Sequence, residues 1–149
     1  INLISEEDKR RATIHLLLSY VEEHYAEKLS LEDLADYAQY NRTYVSTLFK
    51  QMVGINFHEY LTRVRFQHAL NDLTYTRDNL TDIALKNGFP DLKTLTSRFR
   101  STFQRTPAQY RAALKPDEVL YDKVRQFLDP QDMVLRKKLG EYAKTGIIK

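Results

Sequence analysis

An internal repeat constrains the fold of this chain more than any other feature. Residues 30–35 (SLEDLA) recur in residue type as residues 79–84 (NLTDIA), an offset of 49 positions. After one extra residue near Pro90 the offset becomes 50, and residues 41, 45–47, 49, 50 and 53 fall on residues of similar type at 91, 95–97, 99, 100 and 103. Similarity at a fixed offset is typical of one supersecondary unit used more than once. The sequence therefore predicts two copies of one structural unit.

Each copy has the pattern of two helices joined by a tight turn. The first helix opens with a capping residue, Ser30 or Asn79, and an acidic residue follows three positions later, as in a capping box. The second helix opens at Asn41 or Asp91 and carries apolar residues at i, i+3, i+4 and i+7, the pattern of a half-buried helix. We expect these residues to form the core: Val45, Leu48, Phe49 and Met52 in the first copy, and Leu95, Phe99 and Phe103 in the second.

The turn within each copy is predicted to need a left-handed residue. In the second copy Gly88 is placed to take a positive φ, which glycine does without steric cost. In the first copy Gln39 holds that position, and we expect about 1 kcal/mol of strain there.

Two further helices are predicted around the repeat. Residues 10–25 form an amphipathic pattern that should close the first subdomain, residues 10–56, and residues 1–9 are set aside as an N-terminal flank. Residues 57–75 predict one long linker helix, in which about 18 helical residues would span about 27 Å, followed by a second subdomain at 76–111. The chain begins at Ile1 rather than Met, so we expect it to be part of a longer protein. Residues 112–149 are predicted to form a helical C-terminal extension.

Composition excludes several classes of protein. Only 4 Gly and 4 Pro favour helices over a turn-dense β fold, and no apolar run approaches the length of a membrane span. The absence of cysteine removes thiolate chemistry, and the sequence offers no catalytic, metal-binding or cofactor-binding constellation. The net charge of +3 is unevenly distributed, because residues 41–111 hold eleven basic and five acidic residues. Such a distribution suggests a polyanionic partner.

The outward face of each second helix is small, hydroxylated or basic. A helix-turn-helix places the start of its second helix in the major groove, where short polar side chains reach bases and basic ones reach phosphates. Two such units with matched spacing predict binding to double-stranded DNA. The residues on these faces are Arg42, Thr43, Ser46, Thr47 and Lys50, then Leu92, Lys93, Thr96, Ser97 and Arg100.

The sequence resembles the DNA-binding domain of the AraC/XylS family of bacterial transcription regulators over about residues 10–111. The matching motifs include residues 31–35 (LEDLA), 44–50 (YVSTLFK), Arg65 with Ala69, 81–84 (TDIA), 88–89 (GF) and 106–111 (TPAQYR). The resemblance implies an all-α fold of about seven helices that reads two adjacent major-groove segments. It also implies an activator in the bacterial cytoplasm that recruits RNA polymerase, with an N-terminal sensor or dimerisation domain missing here.

The resemblance also implies roles for individual residues. The family's base-reading positions fall on Thr43, Ser46 and Thr47, and on Leu92, Lys93 and Ser97; we expect phosphate contacts from Arg42, Lys50, Lys93, Thr96 and Arg100. The base-reading side chains include no Arg or Gln for a bidentate contact, so contacts to thymine methyl groups and DNA shape are the expected basis of specificity. Gln104 stands where relatives often have glycine.

An alternative interpretation is a helical protein-interaction module that does not bind DNA. Its binding surface would be the tyrosine-rich part of the first subdomain, comprising Tyr37, Tyr40, Tyr44 and Tyr60.

Overall fold

The protein is all-helical over residues 5–114, the part of the chain that the computed structural model describes. Two copies of a helix-turn-helix flank one long helix, as the repeat predicted. The predicted extension at 112–149 lies outside the described residues from position 115 onward. The seven helices are α1 (Glu6–His24), α2 (Leu31–Ala38), α3 (Arg42–Val53), α4 (Phe57–Tyr75), α5 (Leu80–Lys86), α6 (Leu92–Phe103) and α7 (Pro107–Ala112).

Every helix within residues 5–114 begins at a side chain that accepts a hydrogen bond from a backbone N–H three residues later, which satisfies one otherwise unpaired donor. The predicted capping box of α2 is complete, because Asp33 also accepts from the Ser30 backbone at 2.8 Å. In α5 the Asn79 side chain instead donates to the Asp82 carboxylate at 2.9 Å, so the second capping box is only half formed. The seven capping residues are Ser5, Ser30, Asn41, Asn56, Asn79, Asp91 and Thr106.

The first helix is longer than predicted. It begins at Glu6 and not at residue 10, because Ser5 accepts from the Asp8 backbone N–H and caps the helix. Acidic residues fill its first turn, where the helix dipole favours negative charge. Part of the segment set aside as a flank therefore belongs to the first subdomain.

Two separate cores lie along α4, which belongs to both. Its first half supplies Phe57 and Leu61 to the core of the first subdomain, and its second half supplies Ala69 and Leu73 to the other. The first core also contains Ile14, Leu17, Val21, Leu34, Ala35, Val45 and Phe49; the second contains Ile83, Ala84, Phe89, Leu95 and Phe99. The linker is thus a packed structural element of each subdomain.

The predicted left-handed turn residues are confirmed. Gln39 has φ +62° and Gly88 has φ +90°. A second left-handed residue ends the second helix of each copy, where Gly54 has φ +92° and Gln104 has φ +56°. Gln104 therefore adopts the conformation that glycine would take at this helix end.

The expectation that Phe103 is a core residue is wrong. Phe103 is 38% exposed because it is the last residue of α6, at the edge of the second core. Its ring lies 6.0 Å from that of Phe66 and 6.0 Å from that of Tyr110. It covers the core's edge and does not fill its centre.

Arginines on later helices satisfy the carbonyls at the ends of earlier ones. On α4, Arg65 donates to the backbone oxygens of Tyr25 at 2.7 Å and Glu27 at 2.8 Å, just beyond α1. On α7, Arg111 donates to the backbone oxygens of Leu73 at 3.1 Å and of other residues at the end of α4. Helix ends leave such carbonyls unpaired, so these contacts fix how successive helices meet.

The turn of the second helix-turn-helix lies against the end of α1. A Cβ added to Gly88 would lie 2.5 Å from Arg65 Nε and 2.8 Å from the Tyr25 backbone oxygen. Nearby, His68 on α4 contacts Glu22 on α1 at 2.6 Å and stacks on Tyr25. These contacts join the two subdomains directly, so α4 is not their only connection.

Candidate nucleic-acid interface

The outward face of α3 is exposed, and Arg42 on it pairs with Glu32 of α2 at 3.7 Å. Its predicted base-reading residues, Thr43, Ser46 and Thr47, are all exposed, and so are the predicted phosphate contacts Arg42 and Lys50. The opposite face of α3 is buried through Val45, Leu48 and Phe49, which anchors the helix in the first subdomain. The helix therefore presents a surface of neutral hydroxyl groups and basic side chains.

The outward face of α6 is similar but less open. Lys93, Ser97 and Arg100 are exposed, whereas Leu92 and Thr96 are half-buried. Leu92 packs against the second core, so only part of its side chain faces outward. Leu92 and Thr96 are thus less accessible than the residues at the equivalent positions of α3. Base reading by Leu92 and phosphate contact by Thr96 stay predictions.

One basic residue of α6 does not belong to this outward face. Arg98 is one of the eleven basic residues of 41–111 that suggested a polyanionic partner, but its guanidinium contacts Glu59 on α4 at 2.7 Å. In the repeat, Arg98 occupies the position of Leu48, which is 2% exposed. Extending the repeat alignment to this pair would have placed Arg98 on the inner side of α6.

The N-termini of α3 and α6 differ in charge. The neutral Asn41 caps α3, whereas Asp91 caps α6 and accepts from both the hydroxyl and the backbone N–H of Thr94 at 2.7 Å. These hydrogen bonds hold the pKa of the Asp91 carboxyl below its ordinary value, so it is ionised at neutral pH. A carboxylate accepts hydrogen bonds, from a base amino group such as that of cytosine, but repels phosphate.

The predicted tyrosine surface is smaller than expected. Tyr37, Tyr40 and Tyr44 are exposed, with the rings of Tyr40 and Tyr44 4.6 Å apart. Tyr60 is not part of this surface, because it packs against the first core with its ring 5.3 Å from that of Phe49. Three tyrosines beside α2 and α3 remain available to a partner.

Two further properties concern the described part of the chain. Over residues 5–114, no group of three or more His, Cys, Asp or Glu side chains could hold a metal ion. None of the helices in that range is both long and apolar enough to cross a membrane.

Comparison with known proteins decides the family. The sequence matches a helix-turn-helix domain family over residues 34–113, which is more than half of the chain. The chain belongs to the AraC family of transcription regulators. It is 38% identical over 98 residues to an uncharacterized HTH-type transcriptional regulator of Staphylococcus aureus (strain COL), covering 66% of this chain and 13% of that protein. It is 32% identical over 113 residues to the TetD protein of transposon Tn10 from Escherichia coli, covering 74% of this chain and 82% of TetD.

A solved structure agrees with this assignment. The DNA-binding domain of AdpA, described as a global transcriptional factor and solved in complex with a target DNA, superposes with a TM-score of 0.64. It is 26% identical to this chain and covers 68% of it and 91% of that chain.

Family membership bears on the general activity. The AraC family is one of DNA-binding transcription regulators, and it is not a class of enzymes. Both of these relatives are bacterial. The chain spans about 13% of the length of the Staphylococcus aureus regulator and most of the length of TetD.

Proposed function

We propose that this chain binds two adjacent major-groove segments of one DNA duplex, with α3 in one and α6 in the other. The supporting observation is that two helices of 12 residues each present hydroxylated and basic outward faces at matching positions. The single 19-residue helix between them is packed into both cores. Its length of about 28 Å suits a separation near one DNA turn, about 34 Å.

The proposed roles follow the character of each side chain. Thr43, Ser46 and Thr47 on α3, and Leu92, Lys93 and Ser97 on α6, read base edges. Short side chains make apolar contacts with thymine methyl groups and follow groove shape, since they are unable to bind guanine with two parallel hydrogen bonds. Phosphates are bound by Arg42 and Lys50 from α3, and by Lys93, Thr96 and Arg100 from α6.

We further propose that the chain is the output domain of a bacterial activator that acts in the cytoplasm. The Staphylococcus aureus relatives, of which the chain spans about 13%, are long enough to hold an N-terminal sensor or dimerisation domain as well. Activation then requires contact with RNA polymerase, for which the exposed tyrosines beside α2 provide an accessible surface.

Selection of bound duplexes from a random pool tests this proposal. We expect two sequence elements about one helical turn apart. Changing Thr43 and Ser46 together to Ala should alter the first element, because these residues are proposed to contact bases. Lys50→Ala should weaken binding to all sequences alike and lower the slope of log affinity against log salt concentration by about 1.

Lys28→Ala is the matched control, because Lys28 is an exposed lysine outside both recognition helices. It removes the same charge and should leave the salt dependence unchanged. Changed sequence preference in Lys50→Ala with unchanged overall affinity would contradict the assigned roles.

A further inference from the structure

Arg98 lies on the inner side of α6, away from the proposed DNA-binding face. It directly precedes Phe99 and follows Leu95 by three positions, and both of these residues are fully buried in the second core. Its own side chain is 29% exposed. Helix geometry therefore directs Arg98 toward α4, while Ser97 and Arg100 face outward.

The partner of Arg98 belongs to the other subdomain. Glu59 is on the first turn of α4, between Phe57 and Tyr60, which both pack in the first core. The two terminal nitrogens of Arg98 reach the two carboxylate oxygens of Glu59 at 2.7 and 3.5 Å. The contact thus joins the second recognition helix to the core of the first helix-turn-helix.

Glu59 is held as an anion in this position. Hydrogen bonds from Arg98 and then from Arg63, at 3.1 Å, lower the pKa of the Glu59 carboxyl below its ordinary value. The carboxylate also lies in the first turn of α4, where the helix dipole favours a negative charge. At neutral pH the contact is an ion pair with geometry close to the two-bond form that arginine makes with carboxylates.

We infer that the Arg98–Glu59 ion pair is a brace that sets the spacing between the two DNA elements that α3 and α6 bind together. This inference rests on the proposed function, since spacing has meaning only if both helices bind one duplex. Arg98 is then a positioning residue that controls specificity without touching DNA.

The brace complements the other contact between the subdomains. Gly88 and Arg65 hold the turn before α6 against the end of α1. That contact lies in the turn before α6, and the second core packs α6 against the second half of α4. The Arg98–Glu59 contact adds a direct link from α6 to the first turn of α4, so it contributes to the direction of α6.

The test measures binding of the full chain to a duplex series in which the distance between the two selected elements varies by single base pairs. The variants are Arg98→Gln, Glu59→Gln and the double variant. We expect each to reduce the preference for the best spacing over its neighbours by roughly two- to fivefold, the range for a partly exposed ion pair. The double variant should match either single one, because all three remove the same contact.

A DNA duplex that carries only the first element provides the internal reference. Both single variants should bind it as the unchanged chain does, with the same salt dependence, and thermal unfolding should show that they remain folded. Arg100→Gln is the matched control on the duplexes that carry both elements. It removes an arginine from the outward face and should lower the salt slope by about 1 while leaving the preferred spacing unchanged.

The outcomes separate the two proposals. If Arg98 instead contacts phosphate, Arg98→Gln will lower the salt slope and Glu59→Gln will raise affinity, and this result overturns the brace. Unchanged spacing preference in all three variants overturns it as well. If the unchanged chain shows no spacing preference at all, the proposed two-element binding fails first.

Discussion

The two helix-turn-helix copies reach the same backbone conformation with opposite choices of residue. Each has a left-handed residue in its turn and another after its second helix; the first copy uses Gln39 and Gly54, and the second uses Gly88 and Gln104. The repeated packing therefore imposes the conformation, and glycine is not required for it. Only at Gly88 does the structure also lack room for a side chain, because Arg65 and the Tyr25 backbone lie against it.

The copies differ more where one meets the other. Leu48 is buried on the inner side of α3, and at the equivalent place on α6 the ion pair of Arg98 with Glu59 faces the linker. Asn41 and Asp91 give the two recognition helices different charges at their N-termini. The residues that join the two copies are thus not repeated between them.

The largest expected effect compares the two residues at this equivalent position. Leu48→Ala should lower the free energy of unfolding by about 2–5 kcal/mol, because it removes buried methyl groups and leaves a cavity. Arg98→Ala should lower it by less than about 1 kcal/mol, because its ion pair is partly exposed. Denaturant unfolding of both variants measures the difference, and equal losses would show that the two positions are energetically alike.

Gly88→Ala should be nearly as destabilising. The new methyl group combines left-handed strain with a collision against Arg65 and the Tyr25 backbone, and we expect a loss of about 2–4 kcal/mol. Gly54→Ala is the control, because Gly54 has the same φ with nothing within 4 Å of an added Cβ, and it should cost only about 1 kcal/mol. The difference between the two variants in thermal unfolding measures the contribution of the collision. Equal losses of stability would show that the collision contributes nothing.

The reverse substitutions should stabilise the protein slightly. Gln39→Gly and Gln104→Gly each relieve a left-handed non-glycine residue, a gain of about 1 kcal/mol that the greater freedom of glycine in the unfolded chain partly offsets. We expect a net rise in the free energy of unfolding below about 1 kcal/mol for each variant. A fall in stability would mean that the glutamine side chains make a larger contribution than their backbone strain.

The smallest effect is a dependence on pH. Hydrogen bonds lower the pKa of three carboxyl groups. The donor is the Ser30 backbone N–H for Asp33, the Arg98 guanidinium for Glu59 and the Thr94 hydroxyl for Asp91. Because these groups bind protons more weakly when folded, their stabilisation is complete above about pH 5 and is lost as the pH falls through the lowered values.

Glu59→Gln and Arg98→Gln should each reduce the loss of stability at acidic pH, measured by denaturant unfolding at a series of pH values. Both variants remove the ion pair, whose carboxylate takes up a proton at low pH. Leu48, at the equivalent place in the first copy, has no ionisable group. If both variants lose as much stability at acidic pH as the unchanged chain does, the brace contributes nothing to stability.

The sequence was sufficient to predict what depends on neighbouring residues. The capping residues Asn41 and Asp91, the linker helix at 57–75 and the left-handed Gln39 all follow from local spacing and are present in the structure. Local spacing carries no information on contacts between distant residues. The contact of Arg98 with Glu59, 39 positions apart, was therefore missed.

The outward faces were predicted correctly in position, but their accessibility was not. Leu92 has the helical position of a base-reading residue, yet its half-burial depends on how the second core packs against it. Similarly, Phe103 continues the apolar spacing of α6, but the core ends before it. Periodicity identifies the side of a helix that faces inward, and the neighbouring elements determine how far that side is covered.

The most direct test of simultaneous binding by the two copies is a hydroxyl-radical footprint on the best duplex from the selection experiment. Simultaneous binding predicts two protected patches on one face of the DNA, about one helical turn apart, of which Lys50→Ala weakens one and Arg100→Gln the other. A single protected patch, or two patches on opposite faces, would contradict it.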